Sequence, residues 1–177
     1  MISPLDTRIA FFGGAAQPAV VEAIVKLKTA GFDVVVASHD PREAPALRDA
    51  GVTFIDDRME ALLGSQVVIT SLHTSADVEN LYLGDEGLLE LMDPGTFCID
   101  LSVSSPRLAR EIQAVAAVSD IEVRDAPIVC VGEGEQAVVF VGGDPQTQST
   151  LSPLFPFFAP IVTVSYTHLT LPTILRV

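Results

Sequence analysis

The sequence predicts a doubly wound α/β domain, a Rossmann-like parallel sheet in a single domain with helices on both faces. Short runs rich in β-branched residues, at 34–37, 52–55, 67–70 and 96–99, recur between stretches whose apolar residues follow helical spacing. These runs are apolar rather than alternating, the pattern of strands buried on both sides of a parallel sheet. No internal repeat, low-complexity tract or linker interrupts the alternation.

The first strand is Arg8-Ile-Ala-Phe-Phe12, followed by the turn Gly13-Gly-Ala-Ala-Gln-Pro18. A helix over 19–30 carries Val20, Ile24 and Leu27, with Val21 and Val25 beside them, and Gly31 stops it. After the strand at 34–37, Asp40 caps a second helix with Pro41 at its first position and Glu43 three residues beyond the cap. A short helix over 59–63 separates the strands at 52–55 and 67–70, and 78–92 is helical with a break near Gly84. Pro94-Gly95 turns into the strand at 96–99. Ser105 and Pro106 then open a helix with Leu108, Ile112, Val115 and Ala116 facing inward. Later strands are expected at 121–123, 138–141 and 161–164.

Composition narrows the function classes. The 177 residues carry 10 Lys+Arg against 23 Asp+Glu, a formal charge of −13, so nucleic acid and anionic membrane surfaces are poor partners. Hydrophobic residues make up 49%, enough for a core. Without an apolar run of the ~18 residues that a membrane span needs, and without a signal-peptide pattern, a soluble cytoplasmic protein is expected. Cys98 and Cys130 sit in apolar stretches and read as reduced, buried small hydrophobes rather than disulfide partners or metal ligands.

The stretch Val164-Ser-Tyr-Thr-His-Leu-Thr-Leu-Pro-Thr173 matches one reading frame of the transposon mosaic-end adapter used in sequencing libraries. The expected organisation is therefore a natural domain over 1–163 and a non-native tail over 164–177, which leaves Tyr166 and His168 without function.

A glycine turn between a first strand and a first helix is where a dinucleotide pyrophosphate sits, on backbone N–H groups and the positive end of the helix dipole. The Gly-x-Gly-x-x-Gly frame reads Gly13, Ala15, Pro18 here, so one glycine is in place, and an ordinary strand-to-helix turn explains the segment equally well. At the end of the second strand, Ser38 holds the position where an acidic side chain would bind a ribose diol, and His39 and Arg42 could approach a 2′-phosphate, which leans towards NADP. The alternative makes Asp40 a helix cap and His39 a loop residue. Ser102 follows a buried strand at its C-terminal end, where such folds keep their ligands, or it is simply loop polarity. Asp56, Asp57, Glu133 and Glu135 read as solvated loop charges, and no metal cluster, nucleophile triad or carboxylate pair stands out.

Taken together, Ile9-Ala-Phe-Phe-Gly13, Ala30-Gly-Phe-Asp-Val-Val-Val36, Val68-Ile-Thr-Ser-Leu-His73, Gly84-Asp-Glu-Gly-Leu-Leu89, the run from Pro94 through Asp100-Leu-Ser102 to Pro106, Asp125-Ala-Pro127 and Val141-Gly-Gly143 resemble the N-terminal domain of the β-hydroxyacid dehydrogenases, the 3-hydroxyisobutyrate and 6-phosphogluconate dehydrogenase family. The resemblance implies an NAD(P)-binding domain of an oxidoreductase that moves hydride between nicotinamide and a small hydroxy acid or carbonyl. It implies that Gly13, Gly14 and Ala15 hold the pyrophosphate, that Leu72 and His73 lie along the cofactor, and that Ser102 binds substrate. It also implies a homodimer built on a C-terminal helical domain, whose first helix supplies the catalytic lysine. This chain reaches the 164–173 peptide before any such helix, so no catalytic residue is assigned and the fragment is expected to be inactive. Val103 replaces a threonine of the family pattern, His73 a proline, and Ile128-Val-Cys-Val131 the substrate-gripping Val-Ser-Gly-Gly. Those replacements leave room for a non-catalytic nucleotide-binding protein or an imine reductase on the same scaffold.

Overall fold

The computed structural model describes residues 2–14, 17–38, 45–131, 136–142 and 150–165, with the backbone alone at 130, 131, 136, 161, 164 and 165. Its first half is built from β1 (Arg8–Gly13), α1 (Pro18–Thr29), β2 (Asp33–Ala37), α2 (Pro45–Asp49), β3 (Thr53–Ile55), α3 (Arg58–Leu62), β4 (Val67–Ser71) and α4 (Ser75–Leu83). Then follow α5 (Leu88–Leu91), β5 (Phe97–Asp100), α6 (Pro106–Val118), β6 (Glu122–Asp125), β7 (Ile128–Val131), β8 (Gln136–Gly142), α7 (Phe155–Phe158) and β9 (Ile161–Ser165). The expected helix opening at Asp40 lies outside the described residues.

Six strands form one parallel sheet in the order β3-β2-β1-β4-β5-β6. The chain winds outward in one direction through β2 and β3, then returns to the far side of β1 through β4, β5 and β6. The reversal opens a crevice at the C-terminal ends of β1 and β4, the position where doubly wound sheets take their ligands. There Gly13 is the register partner of Ser71.

Alternation along the strands divides the core between the two faces. Ile9, Phe11, Val34, Val36, Val67 and Ile69 pack with Val20, Ile24 and Leu27 of α1. Ala10, Val35, Val68 and Cys98 pack with Val78 and Tyr82 of α4 and with Leu108, Ile112 and Ala116 of α6. Full burial of each such aliphatic or aromatic side chain contributes about 1.5–3 kcal/mol, which is why the apolar runs fold as internal strands. Helix starts follow the side-chain caps. Ser105 Oγ accepts the Leu108 N–H at 3.2 Å. Thr74 does the same for Asp77 at 3.1 Å, so α4 starts three residues before the expected 78.

Beside the expected doubly wound sheet stands a second one that the sequence reading did not foresee. β7, β8 and β9 form a separate three-stranded sheet, in which β7–β8 is antiparallel and β8–β9 parallel. After Asp125 the chain turns through Ala126-Pro127, and β7 pairs with β8 instead of extending the main sheet. β7 and α7 were absent from the sequence reading. β7 is an apolar run with no helix before it, and α7 is an aromatic run broken by Pro156. Val115, expected to face inward on α6, is 43% exposed, since Leu108, Ile112 and Ala116 already fill the inward stripe. Cys98 is buried and free; the side chain of Cys130 lies outside the described residues. Among the described residues no helix is long and apolar enough to cross a membrane.

Candidate functional site: the crevice at the ends of β1, β4 and β5

Gly13 and Gly14 both have φ of +78°, a backbone conformation that L side chains rarely adopt. Space forbids side chains as well. A Cβ on Gly13 would fall 2.3 Å from the Ser71 carbonyl oxygen, and one on Gly14 would fall 2.6 Å from Val20 Cγ1. The turn thus presses bare backbone against the end of β4 and the first turn of α1. Gln17 starts α1 without a side-chain cap, which leaves the positive end of a 12-residue helix open towards the turn. Pro18, at the first helical position, brings no N–H to it. Ala15 lies outside the described residues.

Beside the turn runs a groove of about 430 Å³, lined among others by Gly13, Ser38, Leu72, Asp56, Asp57, Arg58 and Glu86. The structure therefore brings together Gly13, Ser38 and Leu72, three of the residues singled out in the sequence. Leu72 is half-buried, and its Cδ2 would lie 2.9 Å from a Cβ on Gly13. His73 is exposed, and His39 and Arg42 lie outside the described residues. Asp57, read from sequence as a solvated charge, caps α3 by accepting the Glu60 N–H at 2.7 Å. Arg58 donates to the Glu86 carbonyl at 2.7 Å and ties the rim of the groove to the loop after α4.

Ser102 is buried, at 3% exposure. Its hydroxyl donates to Asp100 Oδ1 at 2.5 Å and accepts the Leu72 N–H at 2.9 Å. Asp100 Oδ1 also accepts the Ser102 N–H at 3.0 Å and the Thr70 hydroxyl at 2.9 Å. Because Thr70 spends its proton on Asp100, the Tyr82 hydroxyl donates to Thr70 at 2.7 Å, and its oxygen is left to accept the Cys98 S–H at 3.0 Å. Burial pushes the Cys98 thiol up to about 12 and the Tyr82 hydroxyl well above its ordinary value, so both stay protonated as this direction requires. A one-way chain of hydrogen bonds thus runs from Cys98 to Asp100 beneath the crevice.

Sequence reasoning missed the carboxyl pair at its end. Asp100 and Asp125 are register partners at the C-terminal ends of β5 and β6. Burial raises Asp100, against the pull of its hydrogen bonds from Ser102 and Thr70. Asp125 is pushed up to about 7 by burial and then by the charge of Asp100. The two aspartates stand far apart in sequence, and only the order of the strands sets them side by side.

A six-stranded doubly wound sheet with a tight glycine turn at its switch point defines a dinucleotide-binding domain. Two backbone units closed to any Cβ and an uncapped helix start suit a pyrophosphate. Residues 21–167 match the family described as the NAD binding domain of 6-phosphogluconate dehydrogenase, and the chain belongs to that family. The match begins inside α1, beyond the eroded glycine frame. The chain is 35% identical over 158 residues to the probable 3-hydroxyisobutyrate dehydrogenase-like 2, mitochondrial, of Arabidopsis thaliana, covering 87% of this chain and 52% of that protein. The 3-hydroxyisobutyrate dehydrogenase of Mycobacterium tuberculosis, solved with L-serine, superposes with a TM-score of 0.74 at 29% identity, over 89% of this chain and 54% of that one. The imine reductase of Myxococcus stipitatus in complex with NADP+ shares the fold at 18% identity, with a TM-score of 0.73 over 90% of this chain and 54% of that one. The chain spans about half the length of each of these proteins.

Proposed function

We propose that the chain binds NADP or NAD in the crevice between β1 and β4, as the cofactor domain of an oxidoreductase that transfers hydride between nicotinamide and a small hydroxy acid or carbonyl. The Gly13–Gly14 turn at the switch point of the sheet carries this reading. In it, Gly13, Gly14 and Ala15 face the pyrophosphate, Leu72 and His73 lie along the dinucleotide, and Ser38 meets the adenosine ribose. The bound cofactor supplies the hydride; the protein's part is to bind and orient it. NADP is preferred, because Ser38 offers no carboxylate to repel a 2′-phosphate and His39 and Arg42 follow it. The organisation into a cofactor domain over 1–163 and a non-native tail over 164–177 belongs to the same reading, as does a cytoplasmic homodimer for the whole enzyme.

Calorimetric titration with NADPH and NADH tests this. Binding of both, tighter for NADPH, is expected; a folded chain that binds neither overturns it.

A second reading, a nucleotide-binding protein without catalysis, is favoured by one observation. The Ser102 hydroxyl, which the family resemblance assigns to substrate, is already shared between Asp100 and Leu72. In this reading Ser102 holds the loop after β4 against the cofactor groove and touches no substrate.

A further inference from the structure

The most informative unexplained atom lies under the glycine turn. Ser71, the last residue of β4, is 2% exposed, and its hydroxyl has no hydrogen-bond partner among the described residues. A buried hydroxyl without a partner costs about 1–3 kcal/mol, so one that persists in a tightly packed position calls for a reason. Strand alternation puts Ser71 on the same face as Val67 and Ile69, the face that α1 covers. Its Cβ lies 3.2 Å from where a Cβ on Gly14 would be. The hydroxyl is therefore held between the end of β4, the glycine turn and the start of α1. Pro18, at the start of α1, has no N–H to offer a ligand there.

We propose that Ser71 is a pyrophosphate-binding residue, whose hydroxyl donates to a phosphate oxygen of the dinucleotide and makes up for the N–H that Pro18 lacks. The proposal rests on the nucleotide-binding reading and adds a ligand from β4 to it. It accounts for the missing partner: the hydroxyl is unpaired without nucleotide and paired with it.

Ser71→Ala in the full chain provides the test, with NADPH, NADH and ADP-ribose titrated by calorimetry and the thermal midpoint measured without ligand. Loss of one hydrogen bond to a charged group should weaken all three on the order of tenfold, and equally, because all three carry the same pyrophosphate. The ligand-free midpoint should hold or rise, since an unpaired buried hydroxyl has been removed. Unchanged affinities overturn the proposal, as does a loss confined to NADPH and NADH, which would place the contact on the nicotinamide half. A fall in the ligand-free midpoint alongside weaker binding would make Ser71 structural and overturn it too. If the unaltered chain binds none of the three, the nucleotide-binding reading fails; if it binds them and Ser71→Ala binds as tightly, only the role of Ser71 fails.

Discussion

Ser102 Oγ lies 2.5 Å from Asp100 Oδ1, and the pair links the interior to the crevice, because the same Ser102 oxygen accepts the Leu72 N–H. A buried carboxylate fixes a serine, the serine fixes a backbone N–H, and that N–H belongs to the residue packed against Gly13. Position is thus relayed from β5 to the glycine turn through the buried Asp100 and Ser102 and the half-buried Leu72.

Removing the carboxylate should loosen the relay. Asp100→Ala leaves the Thr70 hydroxyl and both donors of Ser102 without an acceptor in the core. We expect a loss of about 2–4 kcal/mol, read as a lower urea midpoint with an unchanged slope. A loss within experimental error would mean that water or another group takes over the acceptor's place.

Stability should fall as pH rises towards neutrality. Asp125 is pushed up to about 7 in the folded chain, whereas an unfolded aspartate titrates near the ordinary value of 3.8. Between those values the folded state holds a proton that the unfolded state has released, so the slope of unfolding free energy against pH is negative. The contribution of this group is complete below about pH 4, declines through the interval and levels off above about pH 7. Asp100, also raised, adds to the decline in the same direction. Denaturant midpoints measured across this range for the chain and for Asp125→Asn check it: the variant should show the smaller decline.

The two glycines of the turn should not be equally tolerant. A Cβ on Gly13 meets a backbone oxygen, which cannot swing away, whereas a Cβ on Gly14 meets a side-chain methyl of Val20. Both substitutions carry about 1–2 kcal/mol of left-handed strain. Gly13→Ala should therefore lower the thermal midpoint further than Gly14→Ala, and equal effects would contradict the close approach to Ser71.

Cofactor preference should follow the end of β2. Ser38→Asp places a carboxylate where a ribose diol would be bound and a 2′-phosphate repelled. Affinity for NADPH should drop by on the order of tenfold or more while NADH is held or gains, as read by fluorescence titration. A parallel drop for both would put the ribose elsewhere.

Much of the fold was legible because both faces of the main sheet are buried, so that β1, β2 and β4 stand out as apolar runs divided by α1 and by capped helix starts such as Ser105. The small sheet was not legible, since its pairing depends on Ala126-Pro127 turning the chain away from β6, which no local pattern of 128–131 announces. The glycine turn was visible in the residues, but its closeness to Ser71 required the β1–β4 pairing. Ser102 stood out as a polar residue at a strand end; that its hydroxyl is taken up by Asp100 and Leu72 follows from three-dimensional packing alone. The pair of Asp100 and Asp125 was hidden for the same reason.

The most direct test of the binding site is amide chemical-shift mapping of the isotopically labelled chain during titration with NADPH. A dinucleotide in the switch-point crevice should shift Gly13, Gly14, Ser71 and Leu72 together and saturably, with residues at the opposite end of the sheet, such as Gly95 and Asp120, unmoved. Saturable shifts that leave Gly13 and Gly14 in place, or no shifts at all in the folded chain, would contradict it.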